Sequence, residues 1–199
     1  AENQLTVILP GIGLHYWLNE NMNLLGGIHK GFSPPGMPSV TATSGQARME
    51  TSVNYELGYH FEKNGYTAQV VGFFNNYSNI LGSDNISGGG LGTGDMFNAG
   101  NAHIRGIEIS FEGNLLSNKN YPSGLSFPVS LAYTFTDARF QETFINGGGD
   151  WGTGRINQGD RIPFITPHLL TANLGMSNQK FDITLTSRFT GITRVKPGA

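Results

Sequence analysis

The sequence predicts an all-β fold, an antiparallel transmembrane β-barrel, and three observations carry that prediction. Apolar and polar residues alternate with a period of two along most of the chain, as in strands whose two faces meet different surroundings. The connections between the alternating segments run short, long, short, long, medium, long, short. An outer-membrane barrel sorts its loops in this way, with short periplasmic turns and long extracellular loops, whereas a soluble β-sandwich has no reason to. Finally, no apolar run approaches the roughly 20 residues of a membrane helix, and barrel strands give only a weak hydropathy signal.

Eight strands are expected. The first covers about 6–18 and sets Ile8, Ile12, Leu14, Tyr16 and Leu18 against Gly11, Gly13 and His15. Asn19-Glu20-Asn21 is a tight turn. The second, about 22–32, places Met22, Leu24, Ile28 and Phe32 opposite Asn23, Gly27 and His29. After a long loop at 33–49 comes the clearest strand, 51–62, in which Thr51, Val53, Tyr55, Leu57, Tyr59 and Phe61 share one face and Ser52, Asn54, Glu56, Gly58, His60 and Glu62 the other. Lys63-Asn64-Gly65 is a hairpin turn with an Asn-Gly signal.

The fourth strand, about 66–78, ends in Phe73, Phe74 and Tyr77, and a Gly/Ser/Asp loop runs from 79 to 100. The fifth, about 102–113, sets Ile107, Ile109 and Phe111 against Gly106, Glu108, Ser110 and Glu112, and a medium turn covers 115–125. The sixth, about 126–137, alternates Phe127, Val129, Leu131, Tyr133 and Phe135 with Ser130, Ala132, Thr134 and Thr136. The longest loop, 138–167, precedes a seventh strand at about 168–176, a turn at 177–180 and an eighth strand at about 181–190.

Composition excludes several function classes. With 12 Lys and Arg against 14 Asp and Glu in 199 residues there is no basic footprint for nucleic acid. Cysteine is absent, so there is neither a disulfide framework nor a thiolate metal site. The glycine run 88–94 followed by Asp95 lacks the Lys-Ser/Thr of a phosphate loop and does not recur as a calcium repeat would. No nucleophile elbow or metal-spaced His pair is present, so neither an enzyme nor a cofactor is expected. The chain has no initiator Met or signal peptide and ends in a loop-like Lys196-Pro197-Gly198; a piece of a longer protein is expected.

Several motifs, in order and at matching spacing, resemble those of the TonB-dependent outer-membrane receptors. They are Gly31-Phe32-Ser33-Pro34-Pro35, ETSVNYELG from Glu50 to Gly58, FFNNYSN at 73–79, NAGNAHIRGIEIS at 98–110, AYTFTDA at 132–138 and GDRIPFITPH at 159–168. The GFSPP run is most similar to the ferric dicitrate-type receptors. The resemblance covers nearly the whole chain. It implies a fragment of about eight strands from a barrel of about 22, without the plug domain, the early strands or the final strands. It further implies an active-transport receptor of the bacterial outer membrane that takes up an iron chelate or similar small ligand with energy from the TonB complex. Its partners would be its own plug domain, the TonB complex, and outer-membrane lipid and lipopolysaccharide. A small eight-stranded barrel acting as an adhesin or structural anchor is the alternative.

Glu56 and Glu108 lie on the polar, lumen-facing parity of strands otherwise rich in Gly and Ser. The resemblance implies that glutamates in these contexts pair with plug arginines; the plain alternative is two solvated carboxylates. Lys30, Arg48, Arg155 and Arg161 are assigned to the extracellular loops with Asp150 and Asp160, and an anionic chelate would be gripped there by charge-assisted bonds. Arg155, in a mobile Gly-rich loop, is the foremost of these. His103 and Arg105 have lipid-facing parity near the outer end of the fifth strand, in reach of lipopolysaccharide phosphates or simply snorkelling to the interface.

Overall fold

The computed structural model describes residues 6–34, 48–83, 96–115 and 124–198, which form twelve strands. They are β1 (Gly11–Asn19), β2 (Met22–Ser33), β3 (Glu50–Lys63), β4 (Tyr66–Ser78), β5 (Leu81–Ser83), β6 (Met96–Asn98), β7 (Ala102–Asn114), β8 (Pro128–Phe140), β9 (Phe144–Gly147), β10 (Thr153–Ile156), β11 (His168–Ser177) and β12 (Asp182–Thr190). Eight long strands make one antiparallel sheet in the order β1-β2-β3-β4-β7-β8-β11-β12, which is their order along the chain. These are the eight expected strands. The two short pairs, β5 with β6 and β9 with β10, lie inside the long loops, where no strand was expected.

The register carries the alternation across the whole sheet. One transverse row reads Tyr16, Leu24, Tyr59, Val70, Ile109, Tyr133, Leu170 and Phe189, apolar or aromatic at every strand. The row beside it, on the opposite face, reads Trp17, Asn23, His60, Gln69, Ser110, Ala132, Thr171 and Arg188. A strand period of two allows this, and a slip of one residue in any strand would break both rows. Val53, Tyr55, Leu57, Tyr59, Ile107 and Ile109 therefore share the apolar face, opposite Asn54, Glu56, Glu108 and Ser110.

Turn chemistry sets the short end of the sheet. Asn64 and Gly65 have φ of 53° and 79°, the paired positive values of a type I′ turn between β3 and β4. The Asn178 side-chain oxygen accepts the backbone N–H groups of Lys180 and Phe181 at 2.8 and 3.1 Å, closing the turn from β11 to β12. The 115–125 connection and the 33–49 loop fall largely outside the described residues, as does the glycine run 88–94 with Asp95.

The boundaries differ most from expectation in two places. β1 begins at Gly11, because Pro10 precedes it, so Ile8 lies outside the sheet. β8 continues to Phe140, three residues past its expected end, because the 160–162 segment pairs with it: Phe140 donates to the Asp160 carbonyl and Ile162 to that of Ala138. Among the described residues β1 and β12 each pair on one side only.

The buried hydrophobic residues among the described residues are Ala99, Ala102, Ala138, Phe140, Trp151, Ile156 and Ile162. All lie in the long loops or at the strand ends that feed them. The described wall below the cap has no core of its own, since its large apolar residues are half-buried or exposed, Leu57 and Leu185 at 67% each.

Candidate functional site

At the long-loop end of the sheet the described residues 79–83 and 96–101 fold together with the 138–167 connection into a cap. Its apolar centre takes Ala102, Ala138 and Phe140 from the ends of β7 and β8, all with polar-face parity, so the cap sits against that face. Trp151 makes edge-on contacts with Phe97, Phe140 and Phe144 at centroid separations of 5.2, 5.5 and 6.4 Å. Gly82 makes room for the indole: a Cβ there would lie 2.7 Å from Trp151 Cη2 and Cζ3.

Polar bonds fix the rest of the cap. The Asp150 carboxylate accepts the Ser83 backbone N–H at 2.7 Å and its hydroxyl at 2.8 Å, while the Asp150 N–H returns to the Ser83 carbonyl at 3.0 Å. Glu50, at the start of β3, accepts the Leu81 N–H at 2.8 Å. Asn98 accepts from the Arg48 N–H at 2.6 Å and donates to the Arg48 and Asn79 carbonyls at 2.9 and 2.8 Å. Asn101 donates to Glu142 at 2.6 Å. Asp150 therefore ties the two loops of the cap to each other, and Glu50 ties the cap to the wall.

The six expected site residues fall in three places. Glu56 and Glu108 project from β3 and β7 on the polar face, both exposed, with no partner among the described residues. They are two strands and two residues apart, roughly 12 Å between backbone positions at standard strand spacing. Arg155 and Arg48 belong to the cap. Arg155 stands on β10 rather than in a mobile loop; the β9–β10 pairing orders it, and its Nε donates to Asn157 Oδ1 at 3.1 Å while its head stays exposed. Arg48 is exposed at the foot of the cap with its backbone held by Asn98.

Lys30 and Arg161 are not on the free loops where sequence reasoning placed them. Lys30 is inside β2, paired with Val53, and has apolar-face parity. Arg161 is bridged to Arg139 at the end of β8, so it too points to the apolar side. Lys30 lies within the expected second strand, 22–32, although sequence reasoning counts its charge with the loops; Arg161 is misread because 160–162 extends the sheet without being long enough to show a period. His103 and Arg105 do have apolar-face parity near the outer end of β7, as expected.

Sequence reasoning missed Trp151, Gly82 and Asn98, and it placed Asp150 in an extracellular loop without its role in building the cap. One signal was available: the 138–167 segment holds Phe140, Phe144, Trp151, Ile156 and Ile162, more apolar bulk than a solvated loop needs.

Comparison with known proteins adds the following. The sequence profile of the family described as TonB dependent receptor-like, beta-barrel, matches residues 2–198. A curated relative, "Probable TonB-dependent siderophore receptor PirA" of Acinetobacter baumannii, is 26% identical over 159 residues, 68% of this chain and 20% of that protein. Three solved structures share the fold. The ferric yersiniabactin uptake receptor FyuA of Yersinia pestis superposes with a TM-score of 0.60 at 18% identity, over 92% of this chain and 26% of that one. The siderophore receptor PirA of Acinetobacter baumannii gives 0.57 at 17%, over 96% and 32%. The FrpB iron transporter of Neisseria meningitidis gives 0.53 at 14%, over 90% and 26%. The chain thus spans about a fifth to a third of the length of these relatives.

Proposed function

The chain belongs to the TonB-dependent receptor-like β-barrel family of the bacterial outer membrane, and from that premise we propose that it is the later wall and part of the outer roof of a receptor that takes up an iron chelate. Further strands complete the barrel, because an open sheet edge leaves backbone groups unpaired in the bilayer. A plug domain fills the lumen, and the TonB complex supplies energy by acting on it. The named relatives are siderophore and iron receptors, which supports the ligand class but not a particular chelate.

The observation that carries this reading is the pair of unpaired carboxylates, Glu56 and Glu108, on a polar face roofed at one end by a packed cap. A carboxylate that becomes enclosed needs a cationic partner, since breaking a buried pair costs about 3–5 kcal/mol. The wall offers none at either position, and a plug arginine meets the need. In this reading Arg155 and Arg48, exposed on the cap, meet the negative charge of the chelate through charge-assisted hydrogen bonds.

The test uses the complete receptor. The Glu56→Gln/Glu108→Gln double variant is expected to bind ferric chelates as the wild type does but to transport them poorly under iron limitation. Transport at the wild-type rate sinks the plug-contact role; failure of the wild type to take up any ferric chelate sinks the ligand class.

A further inference from the structure

The apolar face changes character at one level. Its transverse row at Val53 reads Lys30, Val53, Asn76, His103 and Arg139, whereas the Tyr59 row nearer the turns is apolar throughout. Val53 is ten residues from Lys63 at the short-turn end of β3. Ten residues at about 3.4 Å, tilted by about 40°, span about 25 Å, the height of the apolar band of an outer-membrane barrel. An aromatic band sits on the inner side of this row. Phe74 packs on Tyr55 and His103 at 6.1 and 5.0 Å, and the Phe135 and Tyr133 rings lie 5.2 and 6.2 Å from that of His168. Aromatic girdles mark the interface of such barrels, so the row stands at headgroup depth.

At that depth four arginines gather around one acid. Asp137, with a side chain 11% exposed, accepts from Arg105 at 3.1 Å and from Arg139 at 2.9 Å. Arg139 also donates to the Gly159 carbonyl at 2.9 Å. Arg161 is the bridge partner of Arg139, its Nε is buried, and that nitrogen meets no acceptor among the described residues. Arg161, Arg194, His168 and Asp137 line a cleft of about 60 Å³. That is about twice the share of liquid volume held by one water, enough for a small tetrahedral oxyanion. Asp160, beside Arg161 in the chain, accepts the Asn157 N–H at 2.8 Å. The single carboxylate leaves most of the positive charge unanswered, and a buried guanidinium N–H without an acceptor is costly to keep.

We propose that Arg139, Arg161 and Arg194 form a binding site for the phosphate of an anionic outer-leaflet lipid of the lipopolysaccharide class, with Arg105 held in place through Asp137. The lipid's acyl chains lie over the aromatic and aliphatic face below, and its phosphate enters the cleft and accepts from Arg161 Nε. The inference rests on the reading that the apolar face meets lipid. It is independent of the transported ligand, because these side chains lie on the opposite face from Glu56 and Glu108.

Native mass spectrometry of the delipidated full-length receptor, titrated with diphosphoryl lipid A, tests it. Wild-type receptor is expected to retain lipid A. Arg139→Gln/Arg161→Gln should bind it at least about tenfold more weakly, the equivalent of 1.4 kcal/mol. Arg155→Gln, on the cap, should bind as wild type. Arg194→Gln removes no hydrogen bond of the fold and keeps the test decisive if the double variant misfolds; a loss of about two- to fivefold is expected for an exposed charge. Dephosphorylated lipid A should bind wild type and variants alike. Equal affinity of wild type and Arg194→Gln for the diphosphoryl lipid, wild type holding the dephosphorylated lipid as tightly as the diphosphoryl one, or full displacement by millimolar inorganic phosphate would each overturn the proposal, the last by pointing to a free-anion site.

Discussion

The strand wall and the loop cap bury their apolar residues in opposite senses. In the wall, Leu14, Leu57, Leu174 and Leu185 stand more than half exposed along one face, and the inner face carries glutamate, serine and threonine. In the cap, Phe140 is fully buried and Trp151 nearly so, as in the centre of a small soluble domain. The wall's face is stabilised by what surrounds it, lipid, and its backbone bonds by neighbouring strands. The cap meets water and must supply its own core. Two rules of burial thus act within one chain, and a mutation's effect depends on which rule governs its position.

The largest expected effect is in the cap. Trp151→Ala removes the ring on which Phe97, Phe140 and Phe144 pack and should cost about 3–5 kcal/mol of local stability. Amide hydrogen exchange should show the N–H groups of Ile80 and Ala99, which bond to Gly100 and Ile80, losing protection while those of β3 and β4 keep theirs. Loss of protection in both regions would show that wall and cap form one cooperative unit.

In the wall, Leu57→Arg places a charge on the apolar face near mid-strand and should cost about 2–4 kcal/mol in a reversible barrel-folding assay. Ser110→Arg, on the polar face, should cost less and instead disturb the plug. Similar costs for the two would erase the distinction between the faces.

A smaller change sharpens the cap side. Gly82→Ala inserts a methyl group against Trp151, and displacing that ring should cost about 1–3 kcal/mol. The paired variant Gly82→Ala/Trp151→Ala should cost less than the sum of the two, because the clash is then gone; strict additivity in thermal unfolding would mean that the indole does not lie over Gly82.

The arginines give the subtlest test. If the ligand is an anionic ferric chelate, Arg155→Ala should weaken its binding by about 1–3 kcal/mol, with the deficit shrinking as salt rises. Arg161→Ala should leave chelate affinity unchanged, because Arg161 points to the other face. Titration of chelate into each variant across ionic strength separates the two.

How much was readable from sequence follows the same division. The eight wall strands, their faces and the end at which turns are short were legible because a period of two is local: ten residues of β3 suffice to show it. The faces of Glu56 and Glu108 came with it. The cap was not legible, since β5, β6, β9 and β10 are three or four residues long and pair across intervening chain, so no period marks them. Arg161 and Lys30 were misplaced for a related reason. Arg161 sits where the sheet continues past the pattern, and Lys30 where Lys30-Gly31 interrupts the alternation inside β2; pairing with Arg139 and Val53 reveals the side of each.

The claim on which the rest depends is that Val53, Tyr55, Leu57, Tyr59 and Phe61 face lipid while Asn54, Glu56, Gly58 and His60 face the lumen. This chain has no cysteine, so single cysteines introduced along β3 can be spin-labelled one at a time in the complete receptor in bilayers, with any cysteines elsewhere removed. Collision rates with oxygen should rise at every odd position from 53 to 61 and fall at every even one, with the reverse for a water-soluble relaxant. Oxygen maxima at Glu56 and Gly58, or no alternation, would contradict the register, the lumenal carboxylates and the lipid site together.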